Sequence, residues 1–104
     1  MHKLLVVYPT PTDRSAFERH YRQTHLPLVG RLPGVRDMEF ALNLDAEGGP
    51  VYAIFEATFP SAEALGAALA SPEGRAVQED VPNYATGGAT VLTYAPESVP
   101  ARNP

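Results

Sequence analysis

Both halves of this chain follow one plan: a strand-like run, a turn carrying proline, a Ser or Thr able to cap a helix, a helical pattern, and another strand-like run. In the first half Lys3 to Tyr8 is a short apolar run rich in strand formers, stopped by Pro9-Thr10-Pro11. Thr12 is placed to cap the next element, and the carboxylate of Asp13 suits the positive end of a helix. Phe17, Tyr21, His25 and Leu28 then fall within a stripe of roughly 80° at helical spacing, which turns His25 inward near the stripe's edge. Pro27 biases Leu26 away from helical geometry, so a kink or a stop is expected there, before the turn Leu32-Pro33-Gly34.

Val35 to Leu44 alternates, with Met38, Phe40, Leu42 and Leu44 on one face and Asp37, Glu39 and Asn43 on the other. Asp45 to Pro50 reads as a hairpin-like loop, because its glycines accept positive φ. Val51 to Phe59 is the return strand, with an apolar face (Val51, Ala53, Phe55, Ala57, Phe59) and a mixed one (Tyr52, Ile54, Glu56, Thr58). Pro60-Ser61 ends it and caps a helix through about Ala70, which Ser71-Pro72 breaks. Glu73 to Val81 reads as a further short helix, and Ala89 to Ala95 is the last strand.

The order β-α-β-β-α-β predicts an α+β, ferredoxin-like fold: a four-stranded antiparallel sheet with both helices on the face where right-handed crossovers put them. Residues 1–95 form the domain, and the proline-rich stretch 96–104 reads as a flexible tail. The uncovered sheet face would carry Glu39, Tyr52, Ile54, Glu56 and Thr58, too apolar for water and too polar for a dry core. Face-to-face homodimerisation covers such a face with a single patch used twice, and its polar members would then line a cavity.

Bulk properties narrow the function. The 104 residues are 44% hydrophobic and 19% charged, as in an ordinary globular domain. With a net charge of −4 and only 8 Lys+Arg, the chain lacks the basic footprint of nucleic-acid binding. Without cysteine there is no disulfide framework, thiolate catalysis or Cys-based metal site. The apolar run at the start is too short for a secretion signal and no segment approaches membrane-spanning length, so a cytoplasmic location and no membrane partner are expected.

The connection Ser71 to Gly88 is far longer than a turn, and such connections are usually functional or carry structure of their own. It brings Asp80, Asn83 and Tyr84 into close succession, and His25 is the group to pair with them. His25 reads either as a general base or acid, or as a helix-end histidine bonded to terminal carbonyls. Asp80 reads as the carboxylate that orients His25, or as a cap of the Val81-Pro82-Asn83 turn. Tyr84, and Tyr21 one helical turn before His25, line a pocket or pack the core; Asn83 is a turn residue or a ligand contact. Tyr8, Tyr52 and Tyr94 lie on strands and face a cavity or each other. Glu39 and Glu56, on facing strands, form a carboxylate pair or a solvated one. His20 is expected to point away from His25, which leaves no metal-binding face among His2, His20 and His25.

Two stretches resemble a known family. Phe17-Glu18-Arg19-His20-Tyr21-Arg22-Gln23-Thr24-His25-Leu26-Pro27-Leu28, with Leu32-Pro33-Gly34-Val35 after it, is similar to the first signature of the EthD-like family, named for a protein linked to ethyl tert-butyl ether degradation. Ser71-Pro72-Glu73-Gly74-Arg75-Ala76 and Asp80-Val81-Pro82-Asn83-Tyr84-Ala85 resemble its second signature. The resemblance implies a ferredoxin-like protomer that dimerises into an α+β barrel, a fold shared with lactone isomerases, cofactor-independent monooxygenases, polyketide cyclases and haem-binding enzymes. No nucleotide-binding glycine pattern follows the first strand, which discounts a nicotinamide-dependent reductase.

The expectation is a small cofactor-independent enzyme that binds a hydrophobic aromatic or carbonyl metabolite in the dimeric cleft. His25 would move a proton, Asp80 would hold it, and Tyr21, Tyr84, Asn83 and Tyr52 would shape the pocket. The alternatives are an accessory protein carrying such a metabolite for a partner oxygenase, and a haem binder using His25 as axial ligand.

Overall fold

A computed structural model describes residues 1–102 of the chain. Its strands are β1 (His2–Pro9), β2 (Asp37–Ala41), β3 (Val51–Phe59) and β4 (Thr90–Tyr94), in the spatial order β2-β3-β1-β4. Every neighbouring pair is antiparallel. The chain thus adopts the ferredoxin-like α+β fold that its element order predicts. No helix of the described residues is long and apolar enough to cross a membrane.

The first helical segment comprises α1 (Arg14–His20), a π-helical turn (Tyr21–His25) and α2 (Leu26–Val29). Asp13, rather than Thr12, is its cap: the Asp13 carboxylate accepts from the Ala16 amide at 3.0 Å. Thr12 instead donates its backbone N–H to Thr86 Oγ1 at 2.9 Å, tying the start of the helix to the approach to β4. Pro27 does not stop the helix. A proline lacks an N–H and crowds the carbonyl of the preceding turn; here that turn is widened, with the Leu26 amide bonded to Tyr21 O.

The loop after β2 is more ordered than a hairpin loop. Asn43 takes a left-handed conformation (φ 61°), which asparagine tolerates, and Leu44–Glu47 form a 3-10 turn. That turn delivers Asp45 to Arg14, whose guanidinium donates to both carboxylate oxygens at 2.8 and 2.6 Å, while the Thr10 hydroxyl donates as well. The bidentate pair fixes the β2–β3 connection against the start of α1.

α3 (Ala62–Ala70) is capped by Ser61, and α4 (Pro72–Asp80) by Ser71 with Pro72 in its first turn. The two pack so closely that a Cβ on Gly74 would lie 2.1 Å from the Ala68 carbonyl oxygen. α4 continues into a 3-10 turn, Val81–Asn83, so the long connection does carry structure of its own.

Leu4 and Val6 of β1 and Phe55, Ala57 and Phe59 of β3 face the helices and pack with Val29, Leu32, Leu65 and Ala68. A second, aromatic cluster gathers Tyr8, Phe17, Tyr21, Tyr52 and Tyr84. Tyr52 corrects the expectation that it shares the uncovered face with Ile54 and Glu56. It is fully buried, with its ring edge-on to Phe17 at 4.9 Å. The cause is a slip in register: Tyr8 pairs with Ala53 but Pro9 pairs with Val51, so Tyr52 is the extra residue and the strict alternation breaks there.

The uncovered face keeps Glu39 directly opposite Glu56, with Lys3 reaching Glu56 at 3.9 Å and the Tyr94 hydroxyl donating to it at 3.5 Å. Leu92 and Tyr94 stand exposed on that face.

Candidate active site

The end of α4 places Asp80 against the first helical segment, and three side chains converge on its carboxylate. His25 Nδ1 lies 2.9 Å from Oδ2, His20 Nε2 lies 2.8 Å from Oδ1 and 3.0 Å from Oδ2, and Asn83 Nδ2 donates to Oδ1 at 3.0 Å. Asp80 and His25 are 7% and 3% exposed, so this is a buried polar cluster roofed by one partly exposed imidazole.

The position of His20 overturns the expectation that it points away from His25. In an α-helix residues five apart are rotated by about 140°. The π-helical turn between them widens the helix by one residue and brings both imidazoles to one side. Such widened turns often occur at functional sites.

The electrostatics assign the protons. Burial alone would raise the Asp80 pKa, but hydrogen bonds from Asn83, His20 and His25 outweigh it and hold the carboxyl below its ordinary range. Burial pushes His25 below the usual imidazole value despite the opposing pull of Asp80. At neutral pH the pair is therefore an ionised Asp80 beside a neutral His25. An ionised carboxylate only accepts, so His25 carries its proton on Nδ1 and leaves a lone pair on Nε2. No side chain among the described residues bonds that nitrogen.

The His25 ring forms part of the wall of a cavity of about 250 Å³ between the sheet and the helices. Most of the wall is aliphatic, from Leu4, Val6, Val29, Val77 and Val91 among others; Tyr8, His25 and Gln78 are the polar-tipped exceptions. Around His25 the aromatic cluster closes in. Tyr21 stacks on its ring at 5.4 Å, Tyr84 meets it at 4.6 Å, and the hydroxyls of Tyr84 and Tyr8 are hydrogen-bonded at 2.7 Å.

Comparison with known proteins shows the family. The EthD domain model matches residues 9–88, a span that includes His20, His25 and Asp80. The chain belongs to the EthD-domain family. It is 38% identical over 101 residues to an uncharacterized 11.0 kDa protein of the thcB–thcC intergenic region of Rhodococcus erythropolis, covering 95% of this chain and 98% of that one. An EthD-family crystal structure from Bacillus halodurans superposes with a TM-score of 0.85 at 31% identity, over 93% of this chain and 99% of that one. The fold alone extends further: SnoaB, a cofactor-independent oxygenase from Streptomyces nogalater, has a TM-score of 0.68 at 13% identity, over 94% of each chain.

In this EthD protein the expected residues separate into two groups. His25, Asp80, Asn83, Tyr84 and Tyr21 come together around one carboxylate and one cavity end. Tyr52 lies apart, buried on Phe17 beneath the Arg14 guanidinium, which sits 5.3 Å from its ring centroid. Asp80 does not act as a side-chain cap of the following turn, since its oxygens accept from imidazoles and an amide. One residue of the cluster escapes a reading by spacing: His20, because 100° per residue misplaces it. Tyr8, expected to face a cavity or another strand tyrosine, belongs to the cavity wall.

Proposed function

We propose that this EthD protein is a cofactor-independent enzyme that moves a proton on a small, largely apolar carbonyl or aromatic compound. One observation carries the reading: His25 is held through Nδ1 by the Asp80 carboxylate while its ring forms the wall of an apolar cavity. A neutral imidazole in that tautomer is a general base. On a ketone, Nε2 would take the proton from the carbon next to the carbonyl. The C–H electron pair would become the enolate double bond, and the carbonyl π pair would move to oxygen. Where the ketone also carries a β,γ double bond, the enolate extends to the γ-carbon. Return of the proton from His25 to that carbon, as the double bond shifts into conjugation with the re-formed carbonyl, isomerises the substrate and restores the base.

The cavity's size supports a ligand of about one ring. At about 250 Å³ it is below the ~300–1,000 Å³ of pockets for drug-sized ligands. A haem is larger than such ligands, which disfavours the axial-ligand reading of His25.

The functional unit we propose is a homodimer of residues 1–95, joined through the uncovered sheet face. The exposed Leu92 and Tyr94 supply an apolar patch there, and Lys3 and Glu56 supply its charges. Native mass spectrometry reads the stoichiometry, and a monomer at micromolar concentration would contradict the dimer.

The proton-transfer reading is tested by incubating the protein with small aryl ketones in D₂O and following deuterium uptake by mass spectrometry. Exchange above the buffer rate is expected, with His25→Asn reducing it by ~10²-fold or more. A carrier that performs no chemistry would bind the ketones without exchange, and that result would replace the enzyme with the accessory reading.

A further inference from the structure

Three phenol rings meet behind the His25 end of the cavity. Tyr8 and Tyr21 have centroids 5.8 Å apart, Tyr8 and Tyr84 5.7 Å, and Tyr21 and Tyr84 5.4 Å. All three residues are buried, at 2%, 0% and 3% exposure, and Tyr8 belongs to the cavity wall.

Their hydroxyls hold more hydrogens than the protein can use. Among the described residues these hydroxyls make one hydrogen bond of ordinary length, between Tyr8 and Tyr84 at 2.7 Å. Whichever of the two donates, the other keeps an O–H with no acceptor. The Tyr21 hydroxyl is buried with no partner at ordinary hydrogen-bond distance, and interacts only weakly with Tyr8. Two phenolic donors are therefore left over in a place where an unmet donor is costly, and native proteins rarely leave such groups unpaired. Burial pushes all three phenols up, so they stay protonated donors at neutral pH. What the cluster lacks is an oxygen atom rich in electrons.

We propose that the hydroxyls of Tyr8, Tyr21 and Tyr84 form an oxyanion-binding end to the cavity, with Tyr8 donating to the substrate's oxygen. The inference rests on the reading that a ligand is bound and deprotonated beside His25, and it names the substrate class: compounds that become oxyanions, namely enolisable ketones or esters, and phenols. In the binding arrangement the Tyr84 O–H donates to the Tyr8 oxygen, which frees the Tyr8 O–H for the ligand and polarises it. Tyr21 stands behind Tyr8, outside the cavity wall, and its O–H turned toward the Tyr8 oxygen polarises the same Tyr8 donor further. When His25 Nε2 takes the proton, the negative charge that develops on the ligand oxygen falls beside donors that already stand there, buried at the end of the cavity. Donors placed in advance at a developing charge are among the strongest contributors to catalysis. The aliphatic remainder of the wall accommodates the apolar part of the same molecule.

The test uses 4-nitrophenol and its methyl ether, 4-nitroanisole, as ring-sized probes, at a pH where the phenol is ionised. Binding is followed by the phenolate's visible absorption and by ligand-observed NMR. The wild-type protein is expected to prefer the phenolate over the ether by roughly tenfold or more, as for a hydrogen bond to a charged group. Tyr8→Phe and Tyr21→Phe each remove one hydroxyl and keep the ring, so they should erase much of the preference while ether binding stays as in wild type. Equal affinity for both probes in the wild type, or a preference untouched in both variants, would overturn the proposal; a water molecule, not a ligand oxygen, would then satisfy the hydroxyls. His25→Asn separates this inference from the one beneath it. If the phenolate preference survives that substitution but ketone exchange is absent even in the wild type, the oxyanion site stands and the base does not. If exchange requires His25 and no preference exists, the reverse holds. Failure of both probes to bind would remove the cavity as a binding site and contradict both.

Discussion

His20 and His25, five residues apart on one helical segment, stand on the same side of it and share the carboxylate of Asp80. The π-helical turn Tyr21–His25 makes this possible, and the geometry has a chemical consequence. Each Asp80 oxygen accepts from two donors, so the carboxylate is held in place and stays ionised while it orients a neutral His25.

Replacing Asp80 by Asn removes the charge that accepts from both imidazoles. The amide keeps one acceptor oxygen and turns a donor toward a donor. We expect a stability loss of about 2 kcal/mol, the scale of one hydrogen bond to a charged group, read from urea unfolding. Deuterium exchange into ketones should fall with it, since the His25 tautomer is no longer fixed. A variant as stable as wild type would show that the cluster contributes nothing to folding.

Stability should fall on acidification in two stages. The folded pKa of His25 lies below its ordinary 6.5 because of burial, so the unfolded chain binds that proton more readily. The contribution of neutral His25 is complete above about 6.5 and is lost as pH falls through the folded value. The depressed carboxyl of Asp80 acts in the same direction from 3.8 downward, and so does Asp45, which the Arg14 guanidinium and the Thr10 hydroxyl hold at about 2. The urea midpoint should thus drop first below about 6.5 and again below about 4. His25→Gln should remove the first stage alone; a midpoint that is flat between those two pH values in the wild type would contradict the assignment.

The unpartnered hydroxyls predict an unusual sign. Tyr52 and Tyr21 each bury an O–H with no partner at ordinary hydrogen-bond distance among the described residues. Tyr52→Phe and Tyr21→Phe should leave stability unchanged or raise it by up to about 1 kcal/mol, read from thermal melts. Only Tyr21→Phe should also weaken phenolate binding, because Tyr21 packs on Tyr8 and His25 of the cavity wall, whereas Tyr52 packs on Phe17 away from both. Stabilisation accompanied by loss of binding is the pattern expected of a functional group kept against its cost to the fold.

Gly74 is where α4 passes closest to α3. A methyl group there would meet the Ala68 carbonyl oxygen at 2.1 Å and the Leu69 carbonyl oxygen at 2.6 Å, both backbone atoms that cannot step aside. Gly74→Ala should destabilise the protein by about 3 kcal/mol, at the upper end of ordinary overpacking. It should also weaken probe binding, since Leu69, Val77 and Gln78 from these helices are part of the cavity wall. Thermal melts and the 4-nitroanisole titration measure the two effects.

The fold was legible because its signals are local. Pro9 and Pro60 punctuate strands, Ser61 caps one helix, Ser71-Pro72 ends it, and alternation marks β3, so the element order follows directly. The site was legible in part. The unusual length of the segment after α3 pointed to Asp80, Asn83 and Tyr84, and the apolar stripe turned His25 inward. The misses share a cause, which is that periodicity assumes a regular backbone. One widened turn moved His20 onto Asp80, and one register slip moved Tyr52 from the uncovered face into the core. The Arg14–Asp45 pair depends on a left-handed Asn43 and links distant segments, which no local pattern announces.

The proposed chemistry depends most on the protonation of His25, which ¹⁵N NMR of the imidazole side chains reads directly. At neutral pH we predict a neutral ring with its hydrogen on Nδ1, coupled to the Asp80 carboxylate, and an unprotonated Nε2. A doubly protonated ring, or a neutral ring with its hydrogen on Nε2, would leave Nε2 without a lone pair and would contradict the proposed chemistry.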